Sequence, residues 1–156
     1  MPVEKLKADL DAHGVKYIII NHSPAYTARE AAASTLIPRR EFAKAVLVKL
    51  DGERLVMVVV PASRHVDLDA VAAAAHAGAA CLAEESEFET RFGGCEPGAV
   101  PPFGNLYDLP VFADSELMRE DDLAFSAGTH TQIVRMPAPD YRKLVEPVTG
   151  AFAIKD

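Results

Sequence analysis

Lys44 interrupts an otherwise apolar run, with Phe42-Ala43 before it and Ala45-Val46-Leu47-Val48 after it. Alternation along a strand places it on one face with Phe42, Val46 and Val48. If that face turns inward, an unpaired ammonium would cost several kcal/mol or lose roughly 3 to 5 pKa units, so a lysine placed there lines a cavity and meets an anion. At a sheet edge the same side chain would snorkel to water, and periodicity leaves the two readings even. Lys49 falls on the opposite face, where exposure is expected. A second candidate is the run Gly94-Cys95-Glu96-Pro97-Gly98-Ala99-Val100-Pro101-Pro102-Phe103-Gly104. Its glycines let main-chain N–H groups approach a ligand and its prolines hold them in place. Amides fixed in this way form an oxyanion hole, in which one donor is worth roughly 10²- to 10³-fold in rate. A rigid surface crossover accounts for the same composition. Third, Gly128-Thr129-His130 offers a small residue, a hydroxyl and an imidazole in one turn, suited to proton transfer or substrate hydrogen bonding near neutral pH. A solvated turn is the plainer alternative there, as it is for His22 ahead of Ser23-Pro24.

Other chemistries find little support. The five histidines stand singly without a zinc-type pair, so no metal and no cofactor are expected. Cys81 and Cys95 are read as free thiols, Cys81 as buried, and neither as a nucleophile. The formal net charge of −7 excludes a protein that coats nucleic acid through many phosphate contacts, yet allows one that grips a single RNA end. No helix rich in Arg, Lys and Asn is present for a major groove, so duplex DNA is not an expected partner. Arg39-Arg40 reads as solvated surface. Apolar runs such as residues 55–60 are far shorter than the ~20 residues of a membrane helix, and the N-terminus has no secretory apolar region. A cytoplasmic protein without membrane contact is expected.

The elements that must position these residues follow from period and punctuation. Residues 3–13 form an amphipathic helix stopped at Gly14, and 17–20 a short buried strand. Thr27-Ala28-Arg29-Glu30 is a capping box opening a helix that ends near Pro38. Residues 42–50 and 54–60 are strands joined by Asp51-Gly52, the strongest hairpin signal in the chain. Asp67 caps a helix reaching Gly78, 79–82 is a strand, and 84–91 a helix with the box Ser86-Glu87-Phe88-Glu89. After the glycine-proline loop come strands at 109–113, 123–126 and 131–136, then a helix at 139–145. Hydrophobic residues at 49% and charged residues at 25% of 156 suit one globular domain spanning 1–156. The mixed order predicts an α+β fold, largely antiparallel, with helices packed outside.

Taken together these pieces resemble, over nearly the whole chain, the YbaK and prolyl-tRNA-synthetase-associated editing domain family. The matching residues are Asn21-His22-Ser23-Pro24 with Tyr26-Thr27-Ala28-Arg29-Glu30-Ala31-Ala32, the lysine strand at 43–49, Gly98-Ala99-Val100-Pro101-Pro102 in a Gly-x-x-x-Pro form, and Ala127-Gly128-Thr129-His130. The resemblance implies a barrel-like mixed sheet wrapped by helices and a cleft between the lysine strand and the glycine-proline loop. It implies a free-standing deacylase that hydrolyses the ester of a mischarged tRNA at its acceptor end without a metal. The expected substrate is tRNA(Pro) carrying Ala, Cys, Ser or Thr. Prolyl-tRNA synthetase is admitted as a partner but not required. Lys44 and Gly98 match the family's catalytic positions. His22, Ala45, Val100, Pro101, Pro102, Phe103, Gly128, Thr129 and His130 are the expected substrate-binding positions. Many members carry threonine or asparagine where this chain has Ala45, which leaves the amino acid open. A non-catalytic module binding tRNA, a nucleotide or an aminoacyl group is the alternative.

Overall fold

The computed structural model describes residues 2–21, 37–88, 90–92, 95–96 and 98–155. The helix expected to open at Thr27, its capping box and His22 lie outside the described residues.

The hairpin forms as its turn chemistry demands. β2 (Ala43–Leu50) and β3 (Arg54–Pro61) pair antiparallel with Leu50 opposite Arg54. The turn is closed by the Glu53 N–H on the Leu50 carbonyl at 3.0 Å. Its central residues Asp51 (φ 50°) and Gly52 (φ 74°) are both left-handed, the conformation whose twist matches two right-twisted strands. The Asp51 carboxylate accepts the N–H groups of Gly78 and Ala79 at 2.9 and 3.0 Å, tying the turn to the approach of β5 (Ala80–Leu82).

This hairpin is central in a five-stranded sheet ordered β5-β2-β3-β6-β9, with β6 at Val111–Asp114 and β9 at Val148–Gly150. β5 and β3 flank β2 antiparallel, whereas β3/β6 and β6/β9 are parallel. A three-stranded sheet, β1-β8-β7, is built from Ile18–Asn21, Gln132–Pro137 and Asp122–Ser126. It meets the larger sheet through a parallel bridge between Phe42 and Ala124. β4 (Arg64–Val66) and β10 (Ala153–Lys155) make a third, two-stranded piece.

Both faces of the hairpin are covered, which is why its strands read as continuous apolar runs. On one face Leu47, Met57 and Val59 pack with Phe103, Phe125 and Tyr141, and with Leu6 and Leu10 of α1 (Pro2–Ala12). On the other Val48, Val56, Val58 and Val60 pack with Phe112, Phe152 and Val71 of α2 (Leu68–Ala74). α4 (Ser115–Met118) and α5 (Ala138–Val145) add Leu117 and Tyr141 to the first cluster.

Some expectations need correction. Asp67 caps α2, accepting the Ala70 N–H at 3.1 Å, but the helix ends at Ala74 and not at Gly78. His76 takes the left-handed position (φ 57°), and the Ala77 N–H reaches back to the Ala72 carbonyl at 2.9 Å, a Schellman-type stop that usually falls to glycine. α3 spans only Glu85–Phe88. Its capping carboxylate is Glu87, which accepts the Glu84 N–H at 2.7 Å, so the helix starts two residues before the box assigned to Ser86. Cys81 is exposed because β5 is an edge strand.

Candidate functional site

The site begins as a gap beside β2. Val48, Lys49 and Leu50 pair with β5, and the opposite end of the same edge meets Ala124 through the Phe42 bridge. Between these points Ala45 is paired only with Val59 of β3 among the described residues. On the gap side the Glu41 carbonyl accepts from Ala124 N–H and the Leu47 carbonyl from Ala83 N–H, both at 2.9 Å. Main-chain groups in a strand alternate between its two edges, so the N–H and C=O of Ala45 face the gap as well.

Across the gap stand Gly98 and Val100. Together with Lys44, Ala45 and Ser126 they line a cavity of about 230 Å³. A second cavity of about 230 Å³ adjoins it, sharing Ala45, Gly98 and Val100 and extending to Leu82 and Ala83. Lys44 is half-buried at the start of β2, opposite Val60 in register and on the face of Val46 and Val48. Alternation therefore placed it correctly.

The glycine-proline loop contributes main chain. Gly98 is left-handed at φ 80°, a conformation that costs any other L-residue roughly 1–2 kcal/mol. Ala99 N–H is committed to the Glu96 carbonyl at 3.0 Å and Phe103 N–H to the Pro101 carbonyl at 2.8 Å. Prolines have no N–H. Gly98 and Val100 are thus the loop amides in the cavity wall without an acceptor among the described residues.

Pro101, Pro102 and Phe103, expected at the substrate, instead turn into the core and are buried. The Phe103 ring meets Phe125 and Tyr141 edge-on at centroid distances of 5.4 and 5.3 Å, and the Tyr141 hydroxyl donates to the Pro102 carbonyl at 2.6 Å. They anchor the loop from behind. Gly128, Thr129 and His130 also stand outside the lining of both cavities. Gly128 (φ 97°) donates to the Ala99 carbonyl and accepts from Glu96 N–H, each at 2.8 Å. His130 is 8% exposed; its N–H donates to the Glu96 carboxylate at 3.1 Å, and its Nε2 lies 3.5 Å from the same oxygen. The late turn is therefore a brace for the loop.

Sequence reasoning missed two residues. Ser126 reads as the last residue of an ordinary strand, and Glu96 only as one residue of the glycine-proline loop. Their partners lie about 80 and 34 positions away in the chain, too far for any local pattern to signal. Cys95 is held as a thiol by burial, which pushes its pKa up, partly opposed by its 3.9 Å contact with the Tyr107 hydroxyl. Among the described residues, no group of three or more His, Cys, Asp or Glu is placed to hold a metal ion.

Larger grooves exist elsewhere. One of about 390 Å³ runs past Lys16, Tyr17 and Arg135, but Arg135 is engaged by Glu41 at 3.1 Å and Asp122 at 3.8 Å, and the Tyr17 hydroxyl donates to Asp11. Another of about 460 Å³ lies by His13, Asp140 and Lys143. Neither includes Lys44 or the glycine-proline loop in its lining.

The described residues thus form an α+β domain with a lysine, a strand edge and two loop residues around a cavity of about 230 Å³, below the roughly 300–1,000 Å³ of drug-sized sites. The chain belongs to the aminoacyl-tRNA editing domain family, whose model matches residues 22–144, and it is accordingly an aminoacyl-tRNA hydrolase. It is 27% identical over 148 residues, 92% of this chain and 88% of the relative, to the multifunctional Ser/Thr-tRNA deacylase ProXp-y of Escherichia coli (strain K12). Its fold is shared with the hypothetical protein APE2540 at TM-score 0.86 and 18% identity, covering 96% of this chain and 99% of that one. It is shared also with a candidate trans-editing enzyme for prolyl tRNA synthetase, at TM-score 0.80 and 18% identity, covering 98% and 97%.

Proposed function

We propose that this protein acts in trans in the cytoplasm, cleaving the ester of a mischarged tRNA(Pro) that carries a small amino acid, with Lys44 and the amides of Gly98 and Val100 as its working groups. The observation that carries this reading is the cavity in which Lys44, the free edge of Ala45 and those two amides meet. The Lys44 ammonium holds a phosphate of the terminal adenosine or the negative charge that develops on the ester. The Gly98 and Val100 N–H groups polarise the ester carbonyl and a water molecule attacks it; the bond from the acyl carbon to the ribose oxygen then breaks, the ribose oxygen takes up a proton, and the free amino acid leaves. An activated ester needs little beyond placement and charge stabilisation, which suits a cavity without a nucleophile–base pair among its described residues. Ala45 puts a small side chain in the lining. Ser126 places a hydroxyl in the wall. These features, and the activity named for the E. coli relative, favour seryl and threonyl esters over alanyl and cysteinyl ones.

Deacylation of Ala-, Cys-, Ser- and Thr-tRNA(Pro), beside Pro-tRNA(Pro), tests the reading. Turnover of Ser- and Thr-tRNA(Pro) with Pro-tRNA(Pro) spared is the expected pattern. Lys44→Ala is expected to lower kcat/KM at least about 100-fold, as for loss of a charge-stabilising group. A Lys44→Ala protein as fast as the parent overturns the assignment of Lys44, and mischarged tRNA bound but recovered intact from the parent overturns hydrolysis of that substrate.

A further inference from the structure

We propose that Glu96 is a positioning residue for this deacylation: it clasps the late turn and so presets the Gly98 and Val100 amides, an inference that rests on the function proposed above. Glu96 stands two residues before Gly98, and both its main chain and its side chain are committed to the brace. Its N–H donates to the Gly128 carbonyl at 2.8 Å and its carbonyl accepts from Ala99 N–H at 3.0 Å. One carboxylate oxygen accepts the His130 N–H at 3.1 Å and lies 3.5 Å from His130 Nε2. The Gly128 N–H on the Ala99 carbonyl at 2.8 Å closes the ring. Gly98 therefore lies within a cycle of bonds that joins two segments more than 25 residues apart.

The side chain of Glu96 is 48% exposed, and a half-exposed carboxylate is ordinarily solvated and free to rotate. Here it turns back to a nearly buried imidazole and a main-chain N–H behind the cavity. The remaining ring bonds are main-chain ones that still form without it, but they then hold the turn to the loop at Gly128 alone, without the second attachment at His130, and open more often. Donors that meet charge only in the transition state lose effect when they drift by about 1 Å, at a cost approaching 10²-fold, and that loss falls on kcat before KM. Glutamine keeps an acceptor oxygen for the His130 N–H. Aspartate is one methylene too short.

Two measurements on the full chain test the clasp. In deacylation, Glu96→Ala is expected to lower kcat about 10- to 100-fold with KM within about threefold, Glu96→Gln to remain within about threefold of the parent, and Glu96→Asp to fall between. Amide hydrogen exchange on the free protein is expected to speed up at least about tenfold at the Ala99 and Gly128 amides, both hydrogen-bonded in the ring, in Glu96→Ala, while β2 and β3 keep parental protection. Unchanged exchange at Ala99 and Gly128 overturns the clasp whatever the activity, and so does a folded Glu96→Ala with parental kcat. Should Glu96→Ala fail to fold, a folded Glu96→Gln that loses kcat as fully as Glu96→Asp overturns it, and near-parental Glu96→Gln with slowed Glu96→Asp supports it. A parent inactive on every aminoacyl-tRNA would sink the proposed function and leave the exchange result to decide the clasp.

Discussion

Among single residues, the two cysteines show how position sets reactivity. Cys81 is exposed on the edge strand β5, whereas Cys95 is half-buried against Tyr107, and burial raises its pKa. The thiolate is the reactive form, so a disulfide reagent at neutral pH is expected to modify Cys81 rapidly and Cys95 at least about tenfold more slowly, with denaturation equalising the two. Equal rates in the folded protein would contradict the packing around Tyr107. Lys44 shows the same principle at the site. Its type suggested a buried cation and its alternation a face, but its place in the lining of a cavity beside Ala45, Gly98 and Val100 came only with the tertiary structure.

At the scale of elements, two glycines of one loop separate rate from stability. Gly98 is left-handed (φ 80°) and lines the cavity. A Cβ on Gly104 would lie 2.7 Å from Val111 Cγ2 and 3.0 Å from the Leu109 carbonyl. Gly98→Ala is expected to lower kcat by at least tenfold through displaced amides while destabilising by about 1–2 kcal/mol. Gly104→Ala is expected to cost about 1–3 kcal/mol through overpacking with a smaller effect on kcat. Melting curves beside single-turnover rates distinguish them, and a Gly98→Ala protein with full kcat would remove that loop from the mechanism. The short helix α3 depends on charge. A hydrogen bond from Lys49 holds the Glu87 carboxyl below its ordinary range, assisted by the Glu84 N–H. A depressed carboxyl pKa contributes stability at neutral pH that fades as pH falls through the folded-state value. Any deficit of Glu87→Gln in denaturant midpoint at pH 7 is therefore expected to shrink below about pH 4, the ordinary carboxylate range; a deficit that grows in acid would show that the pair does not act this way. The site is exposed, so the effect is small.

For the whole molecule, a net charge of −7 predicts that tRNA is held through few phosphate contacts. With one or two phosphates neutralised, KM is expected to rise less than about tenfold between 50 and 200 mM salt. A steeper dependence would reveal a basic surface beyond Lys44. No described helix is long and apolar enough to cross a membrane.

Local chemistry was sufficient for much of this. Asp51-Gly52 dictates its turn because φ > 0 at consecutive residues is open to few others, Asp67 caps because a carboxylate satisfies a free amide, and α1, β2, β3, β7, β8 and α5 follow from period within one or two residues at most ends. The short strands β4, β9 and β10 were not legible, because three residues carry no period and each is defined by a partner far along the chain. The site divides in the same way. Lys44, Ala45, Gly98 and Val100 were marked by the sequence and meet at one cavity. That Pro101, Pro102 and Phe103 face the core, that His130 braces rather than lines, and that Ser126 and Glu96 join the group were decided only by tertiary structure. Residue type and spacing constrain what a segment can do, but which side of a loop meets a ligand depends on the distant segment that fills the other side.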